Sequence, residues 1–198
     1  MKYFETLPKI VQTINGQSNI YTNLLARASM LPKIMTDPSN YYQYDIQEGD
    51  TPEIIADKYY GDSYRYWIVL FSNQLLDPQW DWPMSTTLFE HYMKNKYSNI
   101  NPHNVMHHYE KTITQYSPSL QTTFSDTIIL DQSSYDDTVE RTYSAQTPSG
   151  VISITIDKMA VTLYDYEYNL NESKRTISLL NKMYVDSVEK ELKTLMSS

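Results

Sequence analysis

The stretch Tyr44-Asp45-Ile46-Gln47-Glu48-Gly49-Asp50-Thr51-Pro52-Glu53-Ile54-Ile55-Ala56-Asp57-Lys58-Tyr59-Tyr60-Gly61-Asp62 carries the clearest structural grammar in the chain. Tyr42, Tyr44 and Ile46 alternate with Gln43, Asp45 and Gln47, the pattern of a half-buried strand. Glu48-Gly49-Asp50 turns it. Thr51 then suits the N-cap of a helix, Pro52 its first position, and Glu53 the positive end of its dipole. Ile54, Ile55, Lys58 and Tyr59 recur at helical spacing, and Gly61 is a C-terminal stop. Asp62 or Ser63 opens a second helix through Tyr64, Trp67, Ile68 and Phe71, ending near Asn73. Asp77-Pro78 makes a turn, and Trp80 and Trp82 flank Asp81 in a short strand-like piece closed by Pro83. Residues 41–83 therefore predict strand, helix, helix, strand.

Outward from this unit the signals weaken. Residues 1–40 read as an N-terminal arm with short helices. Leu7, Ile10, Val11 and Ile14 form one turn-face of a helix or an extended packing strip, and Gly16 to Asn19 make a turn. Leu24, Leu25, Ala28 and Leu31 form a second amphipathic stretch stopped by Pro32, and Asp37 to Asn40 form a linker. So little apolar area cannot hold itself folded, so the arm is expected to lie on something else. Residues 84–98 predict a connecting helix from Ser85 to about Lys96, with Leu88, Phe89, Tyr92 and Met93 on one side.

Residues 99–163 predict a β-rich region, with strands over Thr122–Leu130, Thr138–Ser144 and Val151–Ile156. Asp131–Asp137 and Gln146–Gly150 read as exposed hairpin tips. Residues 164–198 predict C-terminal helices, with Asn169 and Glu172 as a capping-box pair ahead of Ile177, Leu179 and Leu180. Val185, Val188, Leu192 and Leu195 then form a narrow seam, which suits either the chain's own core or a partner helix. The fold class expected is α+β.

Composition bounds the function. The chain has 198 residues and a formal net charge of −8, from 24 acidic and 16 basic side chains. That sign repels phosphate backbones, so no nucleic-acid partner is expected. The absence of Cys removes disulfides, thiolate metal sites and cysteine nucleophiles. Only four Gly, each isolated, argue against phosphate-cradling loops. The strongest apolar run, Trp67 to Phe71, is far below the roughly 20 residues of a membrane-spanning helix, and no membrane association is expected. Against this, 19 Tyr suit surfaces half covered by a neighbour, because a tyrosine buries its ring while its hydroxyl stays wet or paired.

Candidate chemistry is sparse. His103, His107 and His108, with His91 as a further donor, have metal-ligand spacing only on a helix, and their segment reads as the lead into a strand. Asp77 and Asp81 among Trp80 and Trp82 have the look of a glycosidase pair, but both fit turn or capping roles. No G-x-S-x-G supports a serine nucleophile. No enzyme, cofactor or metal site is expected.

The opening half of the central unit, with its aromatic strand, Gly49-Asp50-Thr51 turn and Ile55-Ala56 pair, resembles a LysM module. Beyond Asn73 the sequence departs from that pattern, in loops that form much of the glycan groove of such modules. Tyr59-Tyr60-Gly61-Asp62, Tyr66 to Leu70, Asn73, Asp77-Pro78 and Asp81-Trp82-Pro83 together resemble the baseplate wedge protein 53 family of contractile-tailed phages. Tyr3-Phe4 with Leu7 to Ile10 is similar to that family's opening, and Asn171-Glu172, Lys174-Arg175, Ile177 and Leu179-Leu180 to its closing helix.

The resemblance implies a structural subunit of the virion tail baseplate, assembled in the host cytoplasm. Its implied partners are other wedge proteins, a sheath-initiating wedge protein and neighbouring wedges in a sixfold baseplate. The residues expected to meet partners are Tyr3, Phe4, Leu7, Ile10, Tyr42, Tyr44, Tyr60, Tyr64, Trp80 and Trp82. The competing expectations are a peptidoglycan-binding LysM module stacking sugars on Trp67, Trp80 and Trp82, and a tail-associated wall hydrolase.

Overall fold

The computed structural model describes residues 2–24, 26, 37–148 and 150–197. Its strands are β1 (Lys9–Ile14), β2 (Gln17–Thr22), β3 (Tyr41–Asp45), β4 (Met106–Ser117), β5 (Thr122–Leu130), β6 (Arg141–Thr147), β7 (Gly150–Thr162) and β8 (Thr176–Leu180). Its α-helices are α1 (Pro52–Tyr60), α2 (Tyr66–Ser72), α3 (Pro78–Asp81), α4 (Thr86–Lys96), α5 (Gln132–Asp137), α6 (Leu163–Glu172) and α7 (Lys182–Ser197). The mixture is α+β, as the sequence predicts. The chain forms two units: Met1–Ser85 with Glu172–Ser198, and Thr86–Asn171.

In the first unit the capping signals act as expected. The Thr51 side chain accepts from the Ile54 N–H, Pro52 opens α1, and Gly61 closes it with φ of +71°. The strand that pairs with β3 comes from the far end of the chain: β8 runs antiparallel to it, with Tyr44 opposite Ile177 and Tyr42 opposite Leu179. Of the strand expected at Trp80–Trp82, Trp80 and Asp81 instead lie in α3, which Asp77 caps by accepting from the Gln79 N–H. Trp82 follows it with extended backbone but no strand partner among the described residues. Asp81 accepts in turn from the Asp77 N–H at 3.0 Å, so the two acids lock a helical turn.

The C-terminal reading is corrected in the same way. Asn169 and Glu172 lie at the end of α6, not at the start of a helix, and Ile177, Leu179 and Leu180 lie in β8. Aliphatic residues bounded by turns do not separate a buried strand from a helix by periodicity alone.

Helices α1, α2 and α7 enclose one core with β8. Ile55, Trp67, Ile68, Val69, Leu179 and Leu180 are its largest fully buried side chains. Each contributes roughly 1.5–3 kcal/mol by leaving water. Val185, Val188, Leu192 and Met196 of α7 belong to the same cluster, so the seam is covered by this chain's own core. Met196 replaces the expected Leu195, which is exposed. At about 100° per residue, position 196 returns to within about 20° of position 185, whereas 195 lies about 80° away.

The arm differs from the short helices expected of it. After a single 3-10 turn at Tyr3–Glu5, β1 and β2 form a hairpin through Asn15-Gly16, both at positive φ (+53° and +78°). Two consecutive positive φ values define the tight turn that matches strand twist, and Asn-Gly is its preferred pair. The helix expected over Leu24, Leu25, Ala28 and Leu31 lies outside the described residues, save Leu24, which follows β2 as a turn.

The second unit carries an antiparallel four-stranded sheet in the order β5-β4-β7-β6. β5 has the boundaries predicted and β7 runs further than the sequence suggested, while β6, at Arg141–Thr147, has the length expected of Thr138–Ser144 but starts and ends later in the chain. The Asp131–Asp137 stretch is not a hairpin tip but contains α5, capped by Asp131 accepting from the Ser134 N–H. Helices α4 and α6 meet through Phe89, whose ring stands edge-on to Tyr164 and Tyr168 at 5.6 and 6.0 Å.

Candidate interaction surface

Asp50 organises the turn between β3 and α1. Its carboxylate accepts from the Tyr44 hydroxyl at 2.6 Å, the Lys58 ammonium at 2.6 Å and the Gln47 N–H at 3.1 Å. Its backbone carbonyl accepts from the Trp82 indole N–H at 3.0 Å. Burial opposes the charge on Asp50, but the bonds from Lys58, Tyr44 and Gln47 outweigh it and hold the carboxyl below its usual range. The same bond pushes the Tyr44 phenol up to about 12, with burial adding to it. Trp82 and Tyr44 thus serve the fold, with rings half-buried against the core.

The other residues expected to meet partners divide along the same line. Leu7 and Tyr60 are core side chains, and the Tyr60 hydroxyl donates to the Leu180 carbonyl at 3.0 Å. Burial, first, and the neighbouring Tyr59 ring push the Tyr60 phenol well up. Tyr3 packs on Trp67 and Phe71 at ring distances of 6.0 and 5.6 Å. Five face water: Phe4, Ile10, Tyr42, Tyr64 and Trp80. Tyr42 stacks on Tyr59, which also lies beneath the Lys182 ammonium, and Lys2 lies over the Tyr64 ring.

The tryptophans are not arranged as a sugar platform. Trp67 is 2% exposed and Trp82 is tied to Asp50, which leaves Trp80 alone with its ring in water. Asp77 and Asp81 are occupied as caps. His103 and His107 stack on Tyr164 and Tyr166, while His108 bonds Glu110 at 2.7 Å. Among the described residues no group of three His, Cys, Asp or Glu side chains is placed to hold a metal ion.

The hairpin is the feature that sequence reasoning missed. Every residue of β1 and β2 is exposed except the half-buried Thr22, and among the described residues the pair has no third strand. Register puts Val11 beside Ile20 on one face and Ile10 beside Tyr21 on the other, so both faces carry apolar side chains into solvent. An isolated two-stranded hairpin is marginally stable in water. The Asn15-Gly16 pair between two β-rich runs was the available signal.

A chain built this way presents apolar and aromatic surface from an arm, a sheet and several loops. The family model for base plate wedge protein 53 matches residues 2–196, nearly the whole chain. The chain belongs to the base plate wedge protein 53 family. It is accordingly a structural protein of the phage virion, in the tail baseplate. A search of the curated proteins finds no match. No helix among the described residues is long and apolar enough to cross a membrane.

Proposed function

We propose that this chain is a connecting subunit of a contractile-tail baseplate wedge, holding wedge proteins and adjacent wedges together through protein–protein contacts. Its partners are other wedge proteins, the sheath-initiating wedge protein and the neighbouring wedges of a sixfold baseplate. The observation that carries this reading is the hairpin β1–β2, with apolar side chains on both faces and, among the described residues, both strand edges unpaired. Edges of that kind pair with other chains unless protected.

The strand–helix–helix–strand arrangement of β3, α1, α2 and β8 supports a LysM-like reading of the first unit. Its closing strand is supplied only after residues 86–171, and the single exposed tryptophan favours protein contacts over a glycan groove. Co-expression with the other wedge proteins of the same phage, followed by size-exclusion, tests the proposal. Co-elution with at least one of them is expected, together with protease resistance of residues 9–22 that the isolated chain lacks. A chain that elutes alone, with residues 9–22 already resistant, overturns it.

A further inference from the structure

The two faces of the β5-β4-β7-β6 sheet are chemically opposite. One carries Thr112, Thr114, Ser125, Thr127, Thr142 and Thr155 across its middle, and their hydroxyls pair between strands at 3.1–3.2 Å. Ile129 and Met159 lie at one end of that face and Tyr116 and Val151 at the other. A hydroxyl ladder suits water. The register turns Ile113, Phe124, Ile128, Tyr143, Ile154 and Ile156 to the other face. Phe124 is 64% exposed, Ile128 44% and Tyr143 42%, while Ile113 and Ile154 are half-buried and Ile156 is buried. The open apolar surface of this face therefore lies toward the outer strands β5 and β6, away from α5, where Tyr135 packs on Tyr109.

Three cations and one acid, Asp126 opposite Ile113, stand within the apolar face, leaving it net positive. Lys111 and Lys158 are directly opposite one another on β4 and β7, and Arg141 is opposite Ile156 on β6. Like charges opposite each other weaken a sheet. Lysines often guard strand edges, but β4 and β7 are the two central strands, so edge protection does not account for the pair. Lys158 donates to the Tyr135 carbonyl at 2.9 Å and Arg141 lies over the Tyr143 ring; among the described residues none of the three has a carboxylate partner. Beside them, a cleft lined by Lys111, Asp137, Thr138, Val139, Arg141 and Ile156 opens between α5 and the sheet, so one acid of this chain already stands among the cations.

We propose that this face docks a segment of another baseplate protein that presents apolar side chains flanked by carboxylates, the carboxylates meeting Lys111, Lys158 and Arg141. This deepens the connecting role proposed above and rests on it. Strand spacing and rise give the whole face, its charged residues included, roughly 400 Å² of projected area; the largest apolar patches on ordinary monomers, about 300–600 Å², are often functional. A second copy of this chain is disfavoured: pairing the same patch with itself would set one row of cations against another.

Because the chain has no Cys, single cysteines read the two faces separately. Ile128→Cys reports the apolar face and Ser125→Cys the hydroxyl face. Maleimide reactivity is measured on the free chain and on its co-expressed complex with the other wedge proteins of the same phage. At least tenfold protection of the Ile128→Cys thiol in the complex, with Ser125→Cys unprotected, is the expected result. Lys111→Glu with Lys158→Glu should lower incorporation at least tenfold while the free variant keeps wild-type circular dichroism. Equal reactivity of the two thiols in the complex, or wild-type incorporation of the charge-reversed chain, overturns the docking face. A concentration-dependent dimer of the free chain abolished by Ile128→Ser overturns the choice of occupant. Failure of the wild-type chain to form any complex strikes at the connecting role itself, a distinct outcome.

Discussion

Tyr44 donates its hydroxyl to Asp50 at 2.6 Å, six residues ahead, and so joins β3 to the start of α1. The bond opposes ionisation of the phenol and favours ionisation of the carboxyl, giving stability two pH limits. For Asp50, whose folded pKa is depressed, stability is fully present above the ordinary carboxylate value of about 3.9. It is lost as pH falls through the lower folded value. For Tyr44, whose folded pKa is raised to about 12, stability is present below the ordinary phenol value and lost as pH climbs toward 12. Urea unfolding between pH 2 and 12 should show both limbs. Asp50→Asn should reduce the acid limb without removing it, since Asp62 and Glu167 are also held low. Tyr44→Phe should reduce the alkaline one without removing it, since burial also raises Tyr60 and Tyr66. An unchanged pH profile in both variants contradicts the assignment.

The seam of α7 offers a contrast within a few residues. Leu192→Ala should cost about 2–5 kcal/mol by the cavity it leaves. Leu195→Ala, three positions on and exposed, should stay within about 0.5 kcal/mol. Urea denaturation followed by tryptophan fluorescence reads this directly, because all three tryptophans lie in the same unit as α7. Equal losses would mean that the seam faces a different neighbour.

Tyr60→Phe tests a single buried bond. The ring keeps its packing while the Leu180 carbonyl loses its donor, so a loss of about 1–2 kcal/mol is expected in the same assay. A neutral result would mean that another donor reaches Leu180.

Local chemistry was legible from sequence and distant pairing was not. Thr51, Pro52 and Gly61 set the ends of α1 through atoms within four residues of each other, and those ends fall where they were expected. The partner of β3 could not be read that way. β8 is separated from it by residues 86–171, and nothing in Thr176–Leu180 states which strand it will join. Trp80 looked strand-like because aromatic residues favour strands, but a capping Asp77 and a Pro78 at the first helical position drew it into a helix that ends before the extended Trp82. The surface expectations split for a related reason: whether a tyrosine faces a partner or the core depends on what folds over it. Tyr60 is covered by β8, whereas Tyr42, on the strand beside it, is not. The hairpin was legible in Asn15-Gly16 and was missed because Leu7, Ile10, Val11 and Ile14 also fit a helical face.

Gly16→Val places a β-branched residue at φ of +78°, where the site is open and only the backbone objects. Left-handed backbone costs an ordinary residue about 1–2 kcal/mol. The hairpin lies outside the buried core, so global unfolding should change by less than about 0.5 kcal/mol. Amide protection over residues 9–22 should fall severalfold in hydrogen exchange, and co-elution with wedge proteins should weaken in parallel. Lost protection with undiminished co-elution would separate the hairpin from the connecting role.

Glu167 ties α4 to α6 across more than seventy positions of sequence. Its carboxylate accepts from the Lys96 ammonium at 2.6 Å, the Tyr97 hydroxyl at 2.9 Å and the Tyr92 hydroxyl at 3.1 Å. Burial opposes its charge, but these donors prevail and hold the carboxyl below its usual range, while the bond to Glu167 raises the Lys96 ammonium. Glu167→Ala removes the acceptor from all three donors at once. Lys96 is 43% exposed and can turn to water, so the cost belongs near 1–3 kcal/mol, below that of a fully buried pair. Glu167→Gln keeps an acceptor for the tyrosines and loses only the charge, so it should cost less than the alanine variant. Hydrogen exchange of the α4 and α6 amides measures the difference without relying on the tryptophans, which lie in the other unit. Equal protection in the two variants would mean that the ion pair, rather than the tyrosine bonds, holds these helices together.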